Sequence, residues 1–483
     1  MPLVKTLIVL ACCIAAIPTR SEAPPTPQGP TTADYLSASM AAKRLCSALY
    51  VSGRDFEEAI EWSATAWLLP TAMQAYRTGR LKFAADSTGV SASWRDRTLR
   101  AEHAGDQGCV ILPEGATGVM FNPIEVKSTL PAPDQTEWPM GDLNANASAT
   151  MLHAQGISRA ALEQAVDQAF TEPEDGTAAF LVIHKGKIVA ERYAAGAHQG
   201  MQLESWSMGK SLTSALVGVL IQQGHLDLDD KLAVPDWHIR ANDPRAKITL
   251  RHALNMSSGL QITHPADQDL SSSFIPGWAD HSIPYGTAVH SFDFCASRPL
   301  EFPVGTSGRY RNCDPLLAGA MVKQTLIELG EDYLSWPQKA LFDRIGVRQQ
   351  TLETDVYGNF ILTGFDYGTA RNWGRLGLLF LNKGNWLGEQ IIPEDFVEFV
   401  STAAPAWEDE RYGGLFWRKH PSTPPDSYHM NGGGGQQVVI IPSKALVIVR
   451  LGHARGFPLF DNREPSARRN KAMRDVIAVI GAS

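Results

Sequence analysis

The residues that could do chemistry are Ser207 and Lys210, three apart in Glu204-Ser205-Trp206-Ser207-Met208-Gly209-Lys210-Ser211-Leu212. A serine hydroxyl is a weak nucleophile until a base takes its proton, and a lysine amine is such a base only when neutral. Leu212, Leu216, Val219 and Leu220 recur at helical spacing, and Gly224 follows as a stop. A helix beginning near Ser207 sets positions 207 and 210 one turn apart on one face. Its N-terminus also aims free N–H groups and a partial positive charge at the serine. A chain this long holds roughly one such spacing by chance, so context must decide.

The elements that must position the pair are read from period and punctuation. Residues 158–170 read as a helix, and residues 179–184 and 188–193 as strands joined across Lys185-Gly186. A helix is expected from Thr249 to Met256, stopped by Ser257-Ser258-Gly259, and another from Pro315 to about Leu329. Residues 370–381 are again helical. Residues 437–441 and 445–451 form a second strand pair across Pro442-Ser443-Lys444, and residues 466–480 a closing helix. Strands early and late with helices between predict an α/β (α+β) body: one antiparallel sheet holding both hairpins, flanked by terminal helices, with a helical subdomain in the middle. Ahead of it, residues 35–50 and 56–68 are helical, residues 110–112 could be a strand, and the proline-rich stretch 123–139 reads as a linker. The expected organisation is a signal at 1–23, a disordered leader at 24–31, an accessory segment at 32–144 and a main domain at 150–483.

Composition narrows the class. The 483 residues are 44% hydrophobic and 19% charged with a net charge of −8, ordinary for a globular protein. No basic run or aromatic-and-basic stripe points to nucleic acid. Lys5 followed by the apolar run 7–17 and Ser21-Glu22-Ala23 reads as an export signal, too short to span a bilayer as a mature helix, so the expected location is periplasmic or secreted with no stable membrane span after cleavage. An oxidising compartment permits disulfides among Cys46, Cys109, Cys295 and Cys313. Pairing within segments favours Cys46–Cys109 and Cys295–Cys313 among three possible connectivities. The histidines are scattered and no paired CxxC or HExxH occurs, so neither a metal nor another cofactor is expected.

From residue 150 to the C-terminus the chain resembles the serine beta-lactamase and penicillin-recognising fold, in the branch with class C beta-lactamases, certain esterases and 6-aminohexanoate-dimer hydrolase. The motifs stand in order: the hairpin from Leu181 to Tyr193, Ser207-Met208-Gly209-Lys210 as Ser-x-x-Lys, the helix-and-turn from Ile248 to Leu260, Tyr310-Arg311-Asn312 as Tyr-x-Asn, the helix from Thr369 to Leu379, and Gly433-Gly434-Gly435-Gln436 as the Gly-Gln element. The resemblance implies a serine hydrolase. Ser207 would attack a carbonyl carbon, Lys210 would serve as base, and Tyr310 would relay the proton, or act as base if its pKa were depressed. Asn312 would orient Lys210 or a substrate amide, with capping of the next helix as its competing role. The Ser207 N–H and one from Gly432, Gly433, Gly434 or Gln436 would form an oxyanion hole.

Some residues read as structural or open. A second Tyr-x-Asn at Tyr357-Gly358-Asn359 is read as a turn, and His252 as structural. The family's Lys-Thr-Gly or His-x-Gly position falls on Met430-Asn431-Gly432, without the cation that would hold a beta-lactam carboxylate, unless His429 supplies it. An ester- or amide-cleaving enzyme for a small-molecule substrate is the leading expectation. A beta-lactamase or D-alanyl peptidase, and a non-catalytic ligand- or peptidoglycan-binding module, are the alternatives. Ser205 stands where an α/β-hydrolase elbow requires glycine.

Overall fold

The computed structural model describes residues 30–420, 422–453 and 463–481. The signal expected at 1–23 and most of the leader expected at 24–31 lie outside them. The central sheet has seven antiparallel strands in the order β7-β8-β9-β10-β11-β5-β6. These are β5 (Thr177–His184), β6 (Lys187–Tyr193), β7 (Tyr412–Gly413), β8 (Phe416–Arg418), β9 (Tyr428–Gly432), β10 (Gln436–Ile441) and β11 (Leu446–Gly452). Both expected hairpins share this sheet, joined where β11 pairs β5, Leu446 opposite His184 through Arg450 opposite Phe180. Every residue of β5 and β11 is buried, as central strands covered on both faces require.

The alternation of side chains sorts the two faces. Phe180, Val182, Val439 and Ile448 meet the terminal helices α2 (Arg159–Asp167) and α7 (Arg463–Gly481). Leu181, Ile183, Val438 and Val449 meet the larger core with α3 (Met208–Gln222), α4 (Leu250–Leu254), α5 (Cys313–Glu328) and α6 (Ala370–Leu381). Helix α5 begins two residues before its expected start, so Pro315 sits in its first turn. Cys295 and Cys313 are disulfide-bonded beside that start, with Cα atoms 5.1 Å apart.

The N-terminal segment holds more strand than its sequence suggests. Helix α1 (Thr32–Tyr50) packs on a four-stranded meander of β1 (Leu81–Asp86), β2 (Gly89–Trp94), β3 (Arg97–His103) and β4 (Cys109–Ile111). Only β4 was expected. Strand β1 buries one residue of six and carries the adjacent, exposed Ala84 and Ala85 on opposite faces, so it shows no contrast of period two. The helix expected over 56–68 splits into Phe56–Trp62 and a short 3-10 turn, Ala64–Trp67. Cys46 and Cys109 form a disulfide, Cα atoms 6.0 Å apart, fastening α1 to β4. Among the described residues no helix is long and apolar enough to cross a membrane.

Candidate active site

Ser207 stands at the N-cap of α3, and Trp206 before it takes a left-handed φ of 50°. A bulky residue rarely adopts that conformation, and neighbours hold it here. The Trp206 ring packs against those of Trp67, Tyr285 and Phe365. Strand Leu203–Glu204 leads in, pairing with Asp366–Gly368. The turn is thus built before the helix begins, and Ser207 leaves it at the rim of the cleft.

Lys210 lies one turn along, 1% exposed, and its Nζ donates to Ser207 Oγ at 2.9 Å and to the Thr363 carbonyl at 2.9 Å. Burial drives its pKa well below the usual lysine range, with Asp366 opposing that shift. A neutral amine so placed can take the serine proton. The Lys210 amine also lies 4.8 Å from the Tyr310 ring centroid. Tyr310 is close enough for Ser207 to pull its pKa down, yet burial prevails and raises it. The phenol therefore keeps its proton near neutrality, which suits a relay and not a phenolate base.

Asn312 is fully buried, and its Nδ2 donates to the His281 carbonyl at 2.6 Å, not to Lys210. The carbonyl that orients the lysine belongs to Thr363, so the expected Asn312–Lys210 contact is replaced. Nor does Asn312 cap α5 through its side chain, although it occupies the N-cap position. Its main effect is to tie the start of α5 to the segment that carries His281.

The glycine run meets the serine turn through Gly432. A Cβ on Gly432 would lie 2.1 Å from the Ser205 carbonyl, so only glycine allows β9 to approach that backbone. Gly433 lies beside the Trp206 and Trp67 rings. Gly434 turns away, its carbonyl accepting from Arg450 Nη1 at 2.5 Å. The Gln436 amide clasps the Gly452 backbone, donating at 2.9 Å and accepting at 2.7 Å, which takes the side chain out of the cleft. Among the described residues no backbone acceptor takes the Ser207 N–H.

Register disposes of His429. It faces Val439, on the side of the terminal helices, whereas Met430 faces Val438 on the serine side. Burial pushes the His429 pKa down to about 3, with His420 beside it, so the ring is neutral and points away. The cation site of the third motif is therefore filled by buried Met430. His252 is structural: its Nδ1 accepts from the Thr249 N–H at 3.1 Å at the start of α4. Tyr357-Gly358-Asn359 is a turn, with Gly358 at φ 76°. Among the described residues no cluster of three or more His, Cys, Asp or Glu side chains could hold a metal.

Sequence reasoning missed Thr363, Asp366 and Tyr285. The Asp366 carboxylate accepts from Ser205 Oγ at 2.5 Å, and its other oxygen is buried with no hydrogen-bond partner among the described residues. Burial raises its pKa to about 7. Tyr285 donates to the Thr363 carbonyl at 2.5 Å, steadying the group that receives Lys210. No local pattern marks these residues, because only tertiary folding brings 285 and 363–366 beneath α3.

Known proteins resemble this chain in sequence and in fold. A curated 6-aminohexanoate-dimer hydrolase of Paenarthrobacter ureafaciens is 24% identical over 263 residues, which is 53% of this chain and 64% of that protein's length. A solved structure of a proposed 6-aminohexanoate-dimer hydrolase from Bacillus anthracis superposes with a TM-score of 0.54 at 21% identity, covering 74% of this chain and 90% of that one. A penicillin-binding protein homologue from Caulobacter crescentus gives 0.50 at 16%, covering 66% and 97%. These structures share the fold. The beta-lactamase family model matches residues 163–472, well over half of the chain and all of the motifs from Ser207 to Gln436, and the chain belongs to that family.

Proposed function

We propose that this protein is a serine hydrolase that cleaves ester or amide bonds of neutral small molecules through an acyl-enzyme on Ser207. The observation that carries the reading is the buried Lys210 amine, 2.9 Å from Ser207 Oγ and held toward neutrality by desolvation. Lys210 takes the hydroxyl proton as Ser207 Oγ bonds to the carbonyl carbon. Tyr310 relays that proton from Lys210 to the departing alcohol or amine as its bond to the carbonyl carbon breaks, and water then attacks the acyl-enzyme, releases the acid and returns a proton to the serine. The N–H groups of Ser207 and of Gly433 would bind the carbonyl oxygen, each such donor contributing about 3–4 kcal/mol. Placement of Met430 in the third motif supports an esterase or amidase over a beta-lactamase or D-alanyl peptidase. The set Ser207, Lys210 and Tyr310 argues against a non-catalytic module.

Export belongs to the same proposal. Two disulfides are what an oxidising compartment allows. The family match beginning at residue 163 supports reading 150–483 as the hydrolase body and 32–144 as an accessory segment.

The test is intact mass after exposure to a fluorophosphonate, with p-nitrophenyl esters and nitrocefin assayed beside it. One adduct on wild type, absent from Ser207→Ala, with ester turnover outpacing nitrocefin, is expected. A folded protein that takes no adduct sinks the mechanism, and faster nitrocefin turnover moves the assignment to beta-lactamase.

A further inference from the structure

Beside Ser207 lies a cavity of about 280 Å³ with two walls of different origin. One wall is the family body: Trp206, Trp278 and Tyr285, with His264 and His281. The other is built by the N-terminal segment, which contributes Met40 from α1, Trp67 from the 3-10 turn and Leu69 just after that turn. The split of the expected helix at Ser63 matters here, because the turn sets the Trp67 ring 4.7 Å from that of Trp206. The family model matches from residue 163, so this second wall lies outside the residues that model covers.

None of the described residues that line it is an aspartate, glutamate, lysine or arginine. Arg44, 1% exposed, lies over the Trp206 ring but is committed to Glu204, at 3.3 and 3.1 Å. Arg311 is held by the Ile262 and Tyr310 carbonyls and lies 3.6 Å from Asp267. Burial lowers the pKa of both lining histidines, that of His264 to about 4. An apolar, aromatic recess without a free ion favours a neutral, apolar occupant.

The recess also has a side. Lys210 and Tyr310, which must serve the departing group, do not line it, whereas Ser207 does. The group that fills the cavity therefore stays on the serine after the leaving group has gone. We propose that the N-terminal segment completes an acyl pocket, with Trp67 and Leu69 as specificity residues, and that the enzyme prefers esters or amides of neutral, apolar medium-length acids. This rests on the hydrolase reading above. The cavity equals roughly nine liquid-water volumes, which suits an acyl chain of about six to eight carbons. In the step itself Ser207 Oγ bonds to the acyl carbon, the bond to the leaving oxygen or nitrogen breaks, and the serine proton leaves with that group. Water then yields the free acid.

The test is kcat/KM for p-nitrophenyl acetate, butyrate, hexanoate, octanoate and hemisuccinate, on wild type, Trp67→Ala and Leu69→Ala, with folding checked by circular dichroism and fluorophosphonate labelling of Ser207. Wild type is expected to gain about fourfold per added methylene up to the length that fills the cavity. It should discriminate at least tenfold against the hemisuccinate relative to butyrate. Each variant should lose at least tenfold more on octanoate than on acetate. A labelled enzyme whose kcat/KM is flat with chain length, that favours the hemisuccinate, or whose variants lose equally on all esters, overturns the pocket and leaves the hydrolase standing. Absence of both labelling and ester turnover overturns both.

Discussion

Lys210 must be neutral to act, and few groups set its charge. Desolvation lowers its pKa, and the carboxylate of Asp366 is the neighbour that raises it again. Asp366 is itself pushed up to about 7 by burial, chiefly offset by its bond from Ser205. These shifts fix the sign of the pH profile. A base is active when deprotonated, so kcat/KM rises with pH through the depressed Lys210 pKa and falls away on the acid side. Asp366→Asn keeps an acceptor for Ser205 Oγ and deletes the negative charge, which should lower the Lys210 pKa further. The acid limb is expected to move to lower pH. An unmoved limb, or one moved upward, would show that Asp366 does not act through Lys210. The pair Ser207 and Lys210 could be read from the sequence because its spacing is local. Asp366 could not, since 159 residues separate it from Ser207 on the chain and no period connects them.

Elements with strong local signals were legible and the others were not. Helix α6 runs over the residues its period predicts, since its Thr369 N-cap accepts from the Asn372 N–H at 3.1 Å and its apolar stripe is unbroken. Strands β7 to β9 escaped notice because β7 and β8 are two and three residues long and depend on their neighbours. The sheet needs them nonetheless, because β9 carries Gly432 to the Ser205 backbone. Helix α6 lies close on β10 and β11 through Gly377, where an added Cβ would sit 2.6 Å from Val447 Cγ1 and 2.9 Å from Val438 Cγ1. Both valines are fully buried and cannot yield cheaply. Gly377→Ala should therefore destabilise by about 1–3 kcal/mol despite the higher helix propensity of alanine. Urea unfolding measures it. A neutral or stabilising result would mean the helix can rise off the sheet at no cost.

On the scale of the whole molecule, the question is how the N-terminal segment is fastened to a body that carries the chemistry. Two neighbouring residues of α1 do it differently. Arg44 reaches Glu204, in the strand that leads into the serine turn. Lys43 pairs at 2.6 Å with Glu353, both at most 1% exposed, and also donates to the Cys109 carbonyl. Glu353 gathers further bonds from Ser47 Oγ at 2.6 Å and the Cys109 N–H at 2.8 Å, so α1, β4 and the body meet on one carboxylate. Burial raises the Glu353 pKa while Lys43 lowers it, as for an ion that relies on its partner. Breaking such a pair from one side leaves a buried charge alone, at a cost of about 3–5 kcal/mol. Lys43→Met should cost that much in denaturant unfolding. Glu353→Leu should also be costly, because Ser47 and Cys109 lose an acceptor. The double variant should cost less than the sum of the singles, since no lone charge remains. Strict additivity within about 0.5 kcal/mol would exclude the ion pair as the fastening. Because Met40 lies on the same helix as Lys43, the singles should also blunt the preference for long acyl chains before the body unfolds, a loss visible in the ester series at denaturant concentrations where β-sheet ellipticity is unchanged.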